Sequence, residues 1–334
     1  MVDSPIILMC SERSGSNLIS RIFDAHHEIC APAPAHLWRI YGRNAHKYRV
    51  GDEVAFADDF SSLLQHTLNP WQISKKKAYD ILVKSRRGDF VKALAELYYA
   101  EVRLNQKNIL FLKENRIYKY ISLFLKQYDS PRFILMHRDP RDVVSSWILS
   151  PVLRGGLIRA TDTWLQDQEE YIRLASILKL SFNVSIVGYE QLLLDPHGTL
   201  KQICGEIDLE YDHGMLNYHA GKGAQVHAQS SVDWRNTSNP IMKDNCNKYL
   251  KTLRSGQLAY VEKRCGALMQ VFGYKTVGPQ MSEKEFSDLE KRLRLEEPWD
   301  KEAYQKVGKK ERVTRAEWGK ALRKIEERTA TLSS

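Results

Sequence analysis

The stretch that most constrains this chain lies within its first 23 residues. An apolar run, Pro5-Ile6-Ile7-Leu8-Met9-Cys10, leads into Ser11-Glu12-Arg13-Ser14-Gly15-Ser16-Asn17, and an apolar-periodic segment, Leu18-Ile19-Ser20-Arg21-Ile22-Phe23, follows. The pattern predicts a buried strand, a tight loop and a helix. Gly15 lets the backbone bend and approach a ligand closely. Free amides at the helix start, together with the positive end of its dipole, make a cradle for an anion. Arg13 adds a planar cation, and Ser14, Ser16 and Asn17 add short hydrogen-bond donors. A Walker loop carries a Gly-Lys pair. This loop has one glycine and no such pair, which disfavours a P-loop lysine with its magnesium, and no metal is expected. Taken alone, the stretch also reads as an ordinary strand-to-helix turn.

Further along, short apolar runs alternate with helical patterns. Asn108-Ile109-Leu110-Phe111-Leu112 ends in Lys113-Glu114-Asn115, and a helix is expected from Ile117 to Leu125. Arg132-Phe133-Ile134-Leu135-Met136-His137 runs into Arg138-Asp139-Pro140-Arg141-Asp142, where Asp139 suits an N-cap, Pro140 the first helical position and Asp142 an Asp-x-x-Asp cap. Val184-Ser185-Ile186-Val187 ends at Gly188-Tyr189-Glu190. Strands alternating with helices predict a three-layer α/β/α fold on a central parallel sheet, P-loop-like in outline. Ligands gather at the carboxyl ends of such strands, and Arg13, Lys113, Arg138 and Tyr189 all fall there. Residues 40–105 read as a mainly helical insert, suited either to shaping an acceptor pocket or to packing. From 276 to 334 the chain is charge-rich and helix-prone, a helical C-terminal extension beside a main domain of residues 1–275. That extension is expected to be solvated or packed on the domain, with a homodimer contact as the alternative.

Bulk properties bound the partners. The chain has 334 residues, 43% of them hydrophobic and 27% charged, which suits a globular protein with a real core. A net charge of +9 favours anionic ligands. Charge alone admits nucleic acid, but no helix-turn-helix, zinc-finger or RNP signature supports it. The five cysteines, Cys10, Cys30, Cys204, Cys246 and Cys265, lack C-x-x-C spacing, which argues for reduced thiols. No apolar run reaches the ~18 residues needed to span a bilayer and no signal-peptide pattern opens the chain, so a soluble, cytoplasmic protein is expected.

The segments just quoted resemble those of sulfotransferases that use 3′-phosphoadenosine 5′-phosphosulfate (PAPS), of the bacterial and carbohydrate type. Arg13-Ser14-Gly15-Ser16-Asn17-Leu18 is similar to the family's 5′-phosphosulfate loop. The run from Arg132 to Ser146 resembles its 3′-phosphate motif, with Arg138 at a strand end and Ser146 eight positions on. Tyr189-Glu190-Gln191-Leu192 resembles the segment whose tyrosine lies near adenine, and the sequence from Asn236 to Tyr274 resembles the end of such domains. The resemblance spans roughly residues 5–274. It implies PAPS as donor and PAP as product, held by Arg13 to Leu18, Arg138, Ser146 and Tyr189. Lys248 is a looser candidate for the 3′-phosphate, and Arg235, with Trp164 and Trp234, for a wall or lid. The implied activity is in-line transfer of a sulfuryl group to an acceptor hydroxyl on a carbohydrate or small molecule. Stabilisation of the leaving 5′-phosphate would fall to Arg13 and the loop amides.

A general base must face the acceptor hydroxyl. Where small-molecule members carry Lys-x-His, this chain reads Lys113-Glu114-Asn115. Lys113 keeps an electrostatic role, whereas Asn115 is no base. The loop that supplies a glutamate in some carbohydrate and protein-tyrosine members reads Ala31-Pro32-Ala33-Pro34-Ala35-His36. His36 is therefore a candidate base, against a packing role, and Glu114 is the other. His137 is expected to point away from the site, and Arg141 to be a solvated helix-start residue. The rival functions are a nucleotide kinase of related architecture, a nucleotide-binding module without activity, and a nucleic-acid binder.

Overall fold

The computed structural model describes residues 3–68, 71–85, 88–300 and 302–328. Five parallel strands form one sheet: β1 (Asp3–Cys10), β2 (Ile29–Cys30), β3 (Ile109–Lys113), β4 (Arg132–His137) and β5 (Val184–Gly188), in the order β2-β3-β1-β4-β5. The first strand is thus the central one. Ile7 lies opposite Leu112 on one side and Phe133 on the other; Leu8 lies opposite Lys113 and Ile134. Continuous apolar runs suit this arrangement, because a parallel sheet is covered on both faces.

Alternation along the strands divides the core in two. Ile7, Met9, Leu112, Phe133 and Leu135 face the helical insert, built from α2 (Leu37–Asn44), α3 (Glu53–Gln65), α4 (Lys75–Leu82) and α5 (Phe90–Leu104). Trp38, Phe56 and Phe60 of that layer are fully buried. Ile6, Leu8, Phe111, Ile134 and Met136 face α1 (Ser16–Asp24), while α6 (Ile121–Gln127) lies between β3 and β4 in the chain. Each such side chain contributes about 1.5–3 kcal/mol on burial, so the layers and not the short strands hold the sheet together.

Beyond β4, α7 (Pro140–Leu149) and α8 (Leu157–Leu178) build a third apolar cluster; α9 (Tyr189–Leu194) and α10 (Pro196–Glu206) follow β5. Then come α11 (Lys222–Ser230), α12 (Tyr249–Thr252), α13 (Ser255–Val271), α14 (Glu283–Leu295) and α15 (Lys309–Glu326). The charge-rich end packs back on the body. Leu289 and Leu293 of α14 join the cluster around Trp164 and Tyr260. Glu297 caps α8, accepting from the amides of Gly156 at 2.5 Å, Ile158 at 3.1 Å and Arg159 at 3.0 Å. Ile325 of α15 is fully buried, and Lys324 and Arg328 pair with Asp58 and Asp59 of α3 at 2.6 Å.

Three local expectations need correction. The helix expected from Ile117 begins as a 3-10 turn over Ile117–Lys119 and becomes α-helical only at Ile121. Arg116 is left-handed (φ 57°) and Tyr120 extended in φ (−144°), which interrupts the helix. Arg141 is not solvated: it is 4% exposed, bound to Asp139 and Glu262 at 2.6 Å each, and stacked on Tyr249. Asp142 does not cap its own helix. Its carboxylate accepts from the distant amides of Asn247 (2.7 Å) and Tyr249 (3.0 Å). The short edge strand β2 carries too few residues for any periodicity to announce it.

Candidate functional site

The loop between β1 and α1 is shaped by what covers it. Gly15, the N-cap of α1, has φ +90°, and a Cβ there would lie 2.3 Å from the Tyr189 ring. Only glycine meets both demands, the left-handed backbone and the flat aromatic lid. No side chain caps α1 from that N-cap position, so its first amides remain available to an anion. Leu18 anchors the helix start by packing on the core beneath. Ser14 is fully buried, and its hydroxyl has no hydrogen-bond partner among the described residues.

Arg138, at the end of β4, gathers the pieces. It is 6% exposed; one terminal nitrogen donates to the Arg13 carbonyl at 2.9 Å and the other to the Asn245 carbonyl at 3.0 Å. Its guanidinium lies 4.3 Å from the centre of the Tyr189 ring, while the Asn245 amide donates to the Tyr189 hydroxyl at 2.6 Å. The Trp164 indole, buried beneath, donates to the Arg138 carbonyl at 3.0 Å. Arg138 Nε is buried without a hydrogen-bond partner among the described residues.

Gly15, Arg138, Tyr189 and Asn245 line a cavity of about 470 Å³, together with Arg13, Ser16, Asn17, Ser146, Arg235 and Lys248. Lys248 reaches it because Asp142 holds the amides on either side, those of Asn247 and Tyr249. Arg235 comes from the rim segment after α11, where its Nε donates to the Val232 carbonyl at 3.0 Å. Four cations around one cavity, two orphaned buried donors and an open helix start suit a ligand with several negative charges. Arg13 lies across this space: its Nε donates to the Ser146 hydroxyl and its Nη1 to Asp233, both at 2.9 Å. Ser150 donates to the same Asp233 oxygen at 2.6 Å. Burial pulls the Arg13 pKa down while Asp233 counteracts it.

A second polar cluster lies at the end of β3. Lys113 donates to the Asn17 carbonyl oxygen at 2.5 Å, and burial lowers its pKa to about 8. Asn115 donates to Glu12 at 2.8 Å. Glu114 turns the other way, as strand alternation requires: it is 2% exposed, accepts from the Tyr98 hydroxyl at 3.0 Å, and sits 3.5 Å from His36 Nδ1. His36 has φ +56°, a left-handed turn that starts α2 after the proline-rich loop. Burial and the neighbouring Arg39 hold its pKa below the ordinary value, against the opposing pull of Glu114.

The sequence pattern of the sulfotransferase family matches residues 5–213, more than half of the chain. The chain belongs to the sulfotransferase family. Among solved structures, the sulfotransferase domain from the curacin biosynthetic pathway superposes with a TM-score of 0.60 at 14% identity, covering 83% of this chain and 99% of that one. The sulfotransferase domain of the Synechococcus PCC 7002 olefin synthase gives 0.57 at 16% identity, covering 82% and 96%. These likenesses carry the fold. No curated protein matches the sequence. Family and fold together support sulfotransferase activity.

In this sulfotransferase, Arg13 to Leu18, Arg138, Ser146, Tyr189, Arg235 and Lys248 surround or underlie one cavity. Arg13 and Ser146, assigned to opposite ends of the ligand by resemblance, are in direct contact. Lys113, Glu114 and His36 lie outside the cavity lining; Lys113 is joined to it through Asn17, whereas Glu114 and His36 pair on the side of the insert. His137 stacks on Phe272 at 4.0 Å and bonds the Tyr274 hydroxyl, away from the cavity. Trp234 stacks on His227 at 4.4 Å. Sequence reasoning missed Asp233, Asn245, Asp142's reach and Glu12's pairing. Only Glu12, next to Arg13 in the loop, carried a signal strong enough to find.

Proposed function

We propose that this sulfotransferase takes its sulfuryl group from PAPS and delivers it to an acceptor hydroxyl on a carbohydrate or small molecule. The observation that carries the reading is the Arg138 cluster, in which a strand-end arginine, the Tyr189 ring and the Gly15 loop meet at a four-cation cavity. PAP and PAPS match it in charge, and the orphaned Arg138 Nε and Ser14 hydroxyl are donors such a ligand satisfies. Arg138, Ser146 and Lys248 would hold the 3′-phosphate, Tyr189 the adenine, and the α1 amides with Ser16 and Asn17 the 5′ end.

When bound, the phosphosulfate supplies an activated sulfuryl group with a 5′-phosphate as its leaving group. The residues of this chain do the rest by position and charge. Arg13, held at Nη1 by Asp233, would turn the rest of its guanidinium to phosphate oxygens, exchanging the Ser146 hydroxyl for one of them, and Lys113, next to Asn17, would add positive charge where the leaving oxygen gains negative charge. His36, neutral near pH 7, accepts the proton of the acceptor hydroxyl. Glu114, buried 3.5 Å from His36 Nδ1, is then the negative charge that steadies the imidazolium so formed, and not itself the base. The insert that carries His36 is the natural wall of the acceptor side.

Calorimetric titration tests the reading. PAP should bind at least ten-fold tighter than adenosine 5′-phosphate, which lacks the 3′-phosphate. Equal affinities would remove the 3′-phosphate role from Arg138 and Ser146. Binding of PAP without transfer from PAPS to any hydroxyl acceptor would point to a module that holds nucleotide only.

A further inference from the structure

The rim of the cavity is tied to the far end of the chain. Glu311, in the first turn of α15, is 8% exposed and lies beyond the residues matched by the family pattern. Its Oε1 accepts from the Ser231 hydroxyl at 2.7 Å and its Oε2 from the Val232 amide at 3.1 Å. Arg315, one turn on, donates to Glu311 Oε1 at 2.7 Å and to the Ser231 hydroxyl at 3.2 Å. The next residue along the rim is Asp233, which binds Arg13 and Ser150; Val232, Asp233 and Arg235 line the cavity. The opposite end of α15 is bolted to the insert: Lys324 and Arg328 pair with Asp58 and Asp59, and Lys47 donates to the Ile325 and Glu326 carbonyls. The 18-residue helix therefore spans about 27 Å at 1.5 Å per residue, fixed at one end and gripping the rim at the other.

We propose that Glu311 is a positioning residue for the nucleotide cavity, holding residues 231–236 so that Asp233 and Arg235 stand where they meet Arg13 and the ligand; this rests on the nucleotide reading above. The physical case is the number and kind of bonds. A buried carboxylate accepting a backbone amide and a hydroxyl makes charge-assisted bonds, each stronger than a neutral one. Both donors belong to two consecutive residues directly before Asp233. Packing of α15 on the body does not require this contact, because Ile325 and the Asp58–Asp59 pairs anchor the helix independently. A charged helix with a single buried glutamate at its first turn is a strut whose tip has a target.

The test combines two variants with two measurements on the full chain. Glu311→Ala removes both carboxylate bonds to the rim, whereas Glu317→Ala, at a carboxylate of the same helix that pairs with Lys320, leaves both in place. Hydrogen exchange of residues 231–238 should rise at least ten-fold in Glu311→Ala, with β1 and β4 unchanged, and stay within two-fold of wild type in Glu317→Ala. PAP affinity should fall about five- to ten-fold in the first variant and hold within two-fold in the second. Unchanged exchange at 231–238 in Glu311→Ala overturns the proposal whatever the nucleotide does. Faster exchange with unchanged PAP affinity also overturns it, since the rim would then be held for stability alone. Failure of the wild-type protein to bind PAP strikes the nucleotide reading, and the exchange measurement still decides whether Glu311 holds the rim.

Discussion

Substitution of Gly15 by alanine isolates how tightly the Tyr189 ring closes on the loop. A non-glycine residue at φ +90° costs about 1–2 kcal/mol from the left-handed backbone alone. The new Cβ would also stand 2.3 Å from Tyr189 Cδ2 and 2.5 Å from Cε2, so the ring must retreat by about 1 Å to reach ordinary contact at 3.4 Å. A shift of that size breaks the 2.6 Å bond from Asn245 to the Tyr189 hydroxyl, about 1 kcal/mol, and loosens the Arg138 stack, about 0.5–1 kcal/mol. The total is about 2.5–4 kcal/mol. Gly51 supplies the control: its φ is +102°, but no atom lies within 4 Å of a Cβ built there. Gly51→Ala should therefore show only the backbone cost. Urea unfolding of the two variants should differ by about 1.5–2 kcal/mol, and Gly15→Ala should also bind PAP at least ten-fold more weakly. Equal stability of the two variants would refute the claim that the ring constrains the loop.

Arg138→Ala should weaken PAP binding by about 1.5–3 kcal/mol, the range for a charged hydrogen bond, as read by calorimetry; unchanged affinity would remove it from the site. His36→Ala should lower turnover about 10²-fold or more while PAP affinity is retained, and near-normal turnover would pass the role of base to Glu114 or Glu12. Because the His36 pKa is held below 6.5 and that of Lys113 is lowered to about 8, the rate should rise through an acidic limb below pH 6.5 and fall near pH 8. An acidic limb centred above pH 7 would contradict this, and Lys113→Met should abolish the alkaline limb. Burial lowers the His137 pKa from 6.5 to about 4, so the unfolded chain binds the proton more readily in that window. Stability should then fall as pH drops from 6.5 to 4, by up to roughly 1.4 kcal/mol per pH unit, and His137→Phe should flatten the slope in acid-unfolding curves.

The order of the longer strands and the helices was legible because β1, β3 and β4 read as apolar runs that end beside a polar residue. Arg132 to His137 matches β4 residue for residue, and the strand-end positions of Arg13, Lys113, Arg138 and Tyr189 follow from it. What escaped was every contact made across long sequence separations. Asp142 has the local pattern of a helix cap, yet its oxygens serve Asn247 and Tyr249. Arg141 has the local pattern of a solvated residue, yet Glu262 lies 121 positions away and draws it inward. Asp233 and Glu311 sit in segments without periodicity, so nothing nearby in the chain announces their partners. Glu114 shows the intermediate case. Alternation turns it away from Lys113, but only the packed insert reveals that it meets His36.

The order β2-β3-β1-β4-β5 also has a consequence for how the chain is made. The first strand to leave the ribosome is the middle of the sheet, and its neighbours begin at Ile109 and Arg132. At ordinary elongation rates of about 5–20 residues per second, the roughly 100 residues in between take on the order of 5–20 s to appear. Ile6 to Met9 spends that interval as a nascent apolar strand with both edges unpaired, a template for pairing with other chains. Soluble yield should therefore respond to translation speed and chaperone supply more than to the stability of the finished fold.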